Sequence, residues 1–151
     1  MDALKKINAI LQNFGDSVGL TDLALEDNRV SLSFDDELVV NLTYQSEQEL
    51  LKFEAQISPC ATLDDPLLRS LLAFNYHWEE HKLVFGLNLE TQCLCLYQHT
   101  VISAIEFNQF ETILAELVSQ AEKWAELLNL DDEAELLSKP HHTSNISGIR
   151  V

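Results

Sequence analysis

Residues 29–57 read RVSLSFDDELVVNLTYQSEQELLKFEAQI, and the fold turns on this stretch. Val30, Leu32 and Phe34 alternate with Arg29, Ser31 and Ser33. Successive side chains of a strand point to opposite faces, so a period of two yields one apolar and one polar face. Asp35-Asp36 supplies a turn. Leu38, Val40, Leu42 and Tyr44 then alternate with Glu37, Asn41 and Thr43, while Val39 interrupts the polar side. Gln45 to Gln48 makes a second polar turn, after which Leu51, Phe53, Ala55 and Ile57 alternate with Lys52, Glu54 and Gln56. Alternating runs joined by short turns predict a three-stranded antiparallel meander.

Upstream, Leu4, Ile7, Ile10, Leu11, Phe14 and Val18 recur in steps of three and four, the spacing of one helix face. The spacing predicts a helix over about Ala3 to Gly15, with Gly15 and Gly19 suiting the exit into a turn. Asp22 to Leu25 is read as a short extra strand. Downstream, Asp65-Pro66 marks a helix start, with Asp65 as N-cap and Pro66 at the first helical position. Leu67, Leu68, Leu71, Leu72, Phe74, Tyr76 and Trp78 make this second helix apolar nearly all round. Such a helix must be buried on more than one side, which points to an interface with another subunit.

Leu83, Phe85, Leu87 and Leu89, followed by Cys93 to Tyr97, predict two more strands. The last of these is apolar on both faces, so both are expected to be covered. A final helix is expected to open at Asn108, with Glu111 three residues on as a capping box. Phe110, Ile113, Leu114, Leu117, Val118, Ala121, Trp124, Ala125 and Leu128 form its apolar stripe, and Glu111, Glu116, Glu122 and Glu126 face outward against Lys123. The predicted class is α+β, an antiparallel twisted sheet flanked by helices in the order α-β-β-β-α-β-β-α. Residues 1–137 are expected to form the domain. Residues 138–151, rich in Ser, His, Thr and Asn, read as a flexible tail.

The charge excludes several functions. Nine Lys and Arg against 25 Asp and Glu leave a net charge of −16. Nucleic acid and anionic membrane surfaces both require clustered cations, so neither is an expected partner. No window holds the run of roughly 18 apolar residues that a membrane span requires. Met1 to Phe14, interrupted by Asp2, Lys5 and Lys6, lacks the continuous apolar stretch of a signal peptide, so none is expected there. Cys60, Cys93 and Cys95 form an odd set without disulfide-scaffold spacing, which favours a reducing compartment, the cytoplasm.

Candidate chemistry is sparse. Gly15, Gly19, Gly86 and Gly148 form no phosphate-cradling loop. His77-Trp78-Glu79-Glu80-His81 fits the H-x-x-E-H pattern of inverted zinc peptidases, in which His77 and His81 would share a zinc and Glu80 would act as base. The motif falls at an expected helix end, where two wet histidines are the plainer reading. Cys93 and Cys95 point to the same side of a strand, beside Tyr97, and small buried hydrophobes account for them better than a redox pair. No catalytic residue, metal or cofactor is therefore expected. What remains is an apolar surplus beyond one core: Val39, Val84, Cys93, Cys95, Tyr97 and the second helix. Exposed apolar strips mark protein contacts.

Element order, acidity and size together resemble the class I type III secretion chaperones, the Tir-chaperone family, over about Leu4 to Leu128. The resemblance is carried by Leu68, Leu71-Leu72 and Asn75 in the second helix, and by Leu87-Asn88-Leu89, Thr91 and Leu94-Cys95-Leu96 in the following hairpin. The family's usual glycine after the turn threonine is Gln92 here. Phe74-Asn75-Tyr76-His77-Trp78, the run Phe110 to Leu117, Ala121-Glu122-Lys123-Trp124 and Ile149-Arg150-Val151 resemble a regulatory branch of that family more closely. The resemblance implies a homodimer pairing strands and second helix across a two-fold axis. It implies ATP-independent binding of an unfolded segment of a secreted effector or regulator protein. In the regulatory branch it implies competition between that secreted protein and an anti-activator of transcription. Leu71, Leu72, Asn75 and Trp78 are the expected dimer-interface residues, and Ile7, Ile10, Val30, Leu32, Val39 and Val40 the expected groove residues.

Overall fold

A computed structural model describes residues 2–35, 38–57 and 63–137. Helix α1 (Ala3–Val18) leads into strands β1 (Arg29–Phe34), β2 (Leu38–Gln45) and β3 (Leu50–Gln56). Helix α2 (Asp65–Tyr76) and a single turn α3 (Trp78–His81) follow. Strands β4 (Val84–Asn88) and β5 (Cys93–Val101), a short 3-10 turn (Ile102–Ala104) and helix α4 (Phe107–Leu137) complete the order. The five strands form one antiparallel sheet in the order β1-β2-β3-β5-β4, so β1 and β4 are its edges.

The alternation read from residues 29–57 is the alternation observed. Leu32, Leu38, Val40, Leu42, Leu51, Phe53, Ala55 and Ile57 are buried. Leu94, Leu96 and Phe85 continue the same layer on β5 and β4. Helix α4 lies across it through Phe110, Leu114, Leu117, Ala121, Trp124 and Leu128, spaced three and four apart. Helix α1 adds Ile7, Ile10, Leu11 and Phe14. Edge-on aromatic contacts tie the layers: Phe14 to Phe110 at 5.6 Å, and Trp124 to Phe85 at 4.9 Å and to Phe74 at 6.0 Å between ring centroids.

Four local expectations are corrected. Helix α1 runs through Gly15 to Val18 and ends at Gly19, whose φ of +82° is the left-handed cap that glycine adopts without strain. Gly15 serves close approach instead: a Cβ there would stand 2.8 Å from the Leu20 carbonyl oxygen. Asp22 to Leu25 is no strand; the Leu25 N–H is taken by the Asn8 side chain at 3.0 Å, which ties this loop to α1. Asp64, not Asp65, caps α2, accepting the Leu67 N–H at 2.9 Å. Helix α4 opens before Asn108. Gln109 takes the Glu106 N–H at 2.7 Å, the returning half of a capping box formed two residues early.

Gln92 has φ +60°, the left-handed region that favours glycine. Its side-chain amide offsets part of that cost by donating to the Leu89 carbonyl at 2.7 Å. No helix among the described residues is long and apolar enough to cross a membrane. The expected tail, 138–151, and Cys60 lie outside the described residues.

Candidate protein-binding site

The hairpin signature Glu26-Asp27-Asn28-Arg29 sets up the first site. Asp27 and Asn28 both have positive φ, at 51° and 65°, and Glu26 and Arg29 exchange backbone hydrogen bonds of 2.9 and 3.0 Å. This is the two-residue reversal whose twist matches paired strands, and it suits short polar side chains. Hydrogen bonding alternates along an antiparallel pair. The Tyr44 N–H donates to the Asn28 carbonyl at 2.8 Å, which sets the phase. Val30, Leu32 and Phe34 therefore bond toward β2, and the main-chain groups of Ser31 and Ser33 point to the open edge. Among the described residues no strand pairs with that edge.

Beside it runs a groove of about 860 Å³. Val30, Leu32 and Phe34 form its floor, Phe14, Val18 and Leu20 one wall, and the loop Thr21 to Ala24 its lip. The lip is held in place by the Asn8 contact to Leu25 and by Leu23 and Leu25 packing on the core. A second groove of about 750 Å³ adjoins it, sharing Phe14, Val18 and Phe34 and continuing onto α4 through Leu114, Ala115 and Val118. Asp22 and Glu26 border the first groove, and Glu111, Glu122 and Glu126 the second.

The opposite edge is built differently. The Asn75 side chain reaches from α2 to Phe85 on β4, donating to its carbonyl at 3.0 Å and accepting its N–H at 2.8 Å. One side chain thereby satisfies both outward main-chain groups of an edge residue, as a neighbouring strand would. Beyond this plug the surface is apolar. Leu68, Leu72 and Tyr76 recur every fourth residue on the outer stripe of α2, and Leu72 and Tyr76 are 67% and 84% exposed. Leu87 on β4 and Leu89 in the following turn are exposed at the same end of the sheet.

The residues expected from sequence are distributed unevenly. Val30 and Leu32 line the β1 groove. Ile7, Ile10 and Val40 are buried in the core, and Val39 faces the other side of the sheet from Val40. The six do not form one surface. Of the expected interface residues, Leu72 and Trp78 are exposed, Leu71 is buried, and Asn75 is the plug of β4. Phe14, Val18, Leu20 and Phe34 in the groove, and Leu68, Tyr76, Leu87 and Leu89 at the other edge, were absent from those sets. The four-residue repeat of Leu68, Leu72 and Tyr76 was the signal that could have added two of them.

The histidine motif is not assembled for zinc. His77 caps the end of α2 and α3 begins at Trp78, so no continuous helix carries both histidines. The His81 ring stacks on Phe74 at 3.9 Å, its Nε2 donates to the Phe74 carbonyl at 3.1 Å, and its Nδ1 accepts the Leu83 N–H at 3.3 Å. Both ring nitrogens are thus engaged. Among the described residues no group of three potential ligands could hold a metal.

The outer sheet face carries a small charged cluster. Lys52 pairs with Glu54 at 3.4 Å and lies over the Tyr97 ring at 5.0 Å. Burial, seconded by Glu54 and opposed by Lys52, pushes the Cys95 thiol up to about 11. Such a thiol stays protonated near neutral pH and is a poor nucleophile. Burial, with Lys52, moves His99 below its usual range, and Glu54 opposes this.

Comparison with known proteins agrees with this fold. Residues 9–125 match the model of the Tir chaperone protein (CesT) family. The chain is 34% identical over 139 residues to the transcriptional anti-antiactivator ExsC of Pseudomonas aeruginosa, covering 91% of this chain and 96% of ExsC. It resembles a chain of the ExsC–ExsE complex with a TM-score of 0.77 at 34% identity, over 85% of this chain and 97% of that one. The HopA1–SchA chaperone–effector complex contains the same fold, with a TM-score of 0.72 at 17% identity over 83% and 98% of the two chains.

Proposed function

The chain belongs to the Tir chaperone protein family, and from that premise we propose that it is a homodimeric type III secretion chaperone of the regulatory, anti-antiactivator kind. In this reading it holds a non-globular segment of a secreted protein while that protein is retained in the cell. Once the partner is exported, it holds an anti-activator instead, so that transcription follows secretion. It works without enzymatic activity or cofactor, in the cytoplasm, within the domain spanning residues 1–137.

The observation that carries the proposal is the open β1 edge beside an apolar groove. An extended guest can add to such an edge as a further strand, with main-chain bonds at Ser31 and Ser33 supplying affinity and the groove receiving alternate side chains. The magnitudes are compatible. Ordering six guest residues costs roughly 6–12 kcal/mol of backbone entropy. At about 25 cal/mol per Å², burying roughly 240–480 Å² of apolar surface offsets that. Two or three large side chains provide such an area. Two guests that need the same edge exclude one another with no change of shape.

The proposed dimer interface is the opposite edge: Leu68, Leu72, Tyr76 and Trp78 with Leu87 and Leu89. Asn75 supports it by holding α2 against β4, and Leu71 by anchoring α2 to the core.

The test is a competition between proteins that co-purify with the tagged chain from its native host. The anti-activator should leave the chaperone when the secreted partner is added, in stoichiometric exchange. A stable ternary complex would overturn the competitive mechanism. Recovery of secreted partners without any transcriptional regulator would reduce the reading to an ordinary effector chaperone.

A further inference from the structure

The second groove, between α1, Phe34 and α4, is not needed for adding a strand to β1. Its floor is apolar, from Phe14, Val18, Phe34, Leu114, Ala115 and Val118, and its border is acidic at Glu111, Glu122 and Glu126, with Lys123 the lone cation among the lining residues. It fits a segment both apolar and cationic. We propose that its occupant is the chain's own C-terminal segment, residues 138–151, docked back along α4.

Charge complementarity is the first argument. Residues 138–151 read SKPHHTSNISGIRV and carry Lys139 and Arg150 with no acidic residue. Their side chains contribute +2, whereas residues 1–137 contribute 7 − 25 = −18. Residues 3–15 are also free of acidic side chains and carry Lys5 and Lys6, but they are committed to helix α1, which leaves residues 138–151 to meet the acidic border. Ile146, Ile149 and Val151 provide side chains for the apolar floor.

Reach is the second argument. Helix α4 ends at Leu137. At 1.5 Å per residue, Glu126 lies about 16 Å and Val118 about 28 Å back along the helix. Fourteen extended residues span up to roughly 46 Å, enough to cover both. Pro140 lacks an N–H and disfavours helix in the residue before it, so it suits a reversal just past the helix end. A short tether holds the segment at an effective concentration of order millimolar, so a contact too weak to form between separate molecules is populated within one. Each exposed ion pair adds little, so the docking is sensitive to salt. Because Phe14, Val18 and Phe34 line both grooves, a docked segment and a guest at β1 contend for the same three side chains.

Two measurements on the full-length chain test this without any guest, so they stand apart from the function proposed above. The first is zero-length carbodiimide coupling of an equal mixture of heavy- and light-isotope protein. In Arg150→Lys, which puts a coupling amine on the returning part of the segment, position 150 should join Glu111, Glu122 or Glu126 within one chain, and the yield should fall about two- to fivefold in strong salt. The second compares amide resonances of the native chain with Ile149→Ser/Arg150→Gln. Changes should gather at Val18, Phe34, Ala115 and Val118. Heavy–light coupled pairs would place the segment on a second copy. Unchanged groove resonances would leave the groove to a separate partner. Either result overturns the proposal.

Discussion

The two edges of the sheet face the same problem and resolve it in opposite ways. An edge strand exposes a row of unpaired main-chain groups, a standing invitation to pair. At β4 the chain closes part of that row with its own Asn75, which occupies both outward groups of Phe85. What is left there is side-chain surface, the leucines of α2 and of the β4–β5 hairpin. At β1 the Glu26–Arg29 reversal covers one residue, and Ser31 and Ser33 stay open beside an apolar groove. An edge plugged by a side chain suits a folded partner that offers a rigid apolar face. An edge with free main-chain groups suits an extended partner that lacks structure of its own. On the proposed function, one sheet holds a twin subunit and a guest at once, because the demands of the two do not overlap.

The sharpest way to break this contrast is Leu72→Asp. A desolvated carboxylate at the centre of the proposed interface should raise the dimer dissociation constant about 30-fold or more, the scale of an interface hot spot. Sedimentation velocity reads the shift, and guest binding per protomer should survive it. A variant still dimeric at micromolar concentration would move the interface elsewhere. Asn75→Ala comes next. Removing both partners of Phe85 at a half-buried edge should cost roughly 1–3 kcal/mol in urea unfolding. It should also speed exchange of the Phe85 amide while leaving the Ser31 amide alone. Smaller again is Ser33→Pro. It deletes an outward N–H that no β2 residue uses, a position where an edge strand tolerates proline. Guest affinity should fall about tenfold, one hydrogen bond's worth, with the dimer unaffected; loss of both would mean the edges are not independent.

The smallest effect serves as a control, because it sits between the edges. His99 has its folded pKa below the usual value of 6.5, so the unfolded chain binds more protons in the interval between the two. Its contribution to stability is full above about 6.5 and is lost as pH falls through the folded value. Urea midpoints followed from pH 7.5 to 5 should decline less steeply in His99→Gln than in the native chain. Dimer and guest affinities should be indifferent to that substitution.

Much of the fold was readable because its signals are local. The period of two in residues 29–57 needs no partner to be recognised, and the three- and four-residue steps of α1 and α4 likewise survive any error of one turn. Errors arose where a residue's role is set by something distant in sequence. Gly15 looked like a helix end, yet it is needed where the Leu20 carbonyl returns against the helix. Asn108 looked like a cap, but Gln109 and Glu106 formed the cap first. Val39 and Val40 were grouped as groove residues although neighbours in a strand must face apart. The Asn75 plug was invisible for a further reason: a polar residue on an apolar helix carries no sign of which edge it will meet.

Taken alone, the sequence determined the class, the order of elements, the strand parity and the excess of apolar side chains over what one core consumes. These follow from periodicity and composition, which the chain carries wherever it goes. Tertiary structure decided which strands became edges, which of those was closed, and which apolar side chains were left outside. That assignment comes from strand order, since inserting β5 between β3 and β4 pairs the middle of the sheet and leaves β1 and β4 alone with unmet hydrogen bonds.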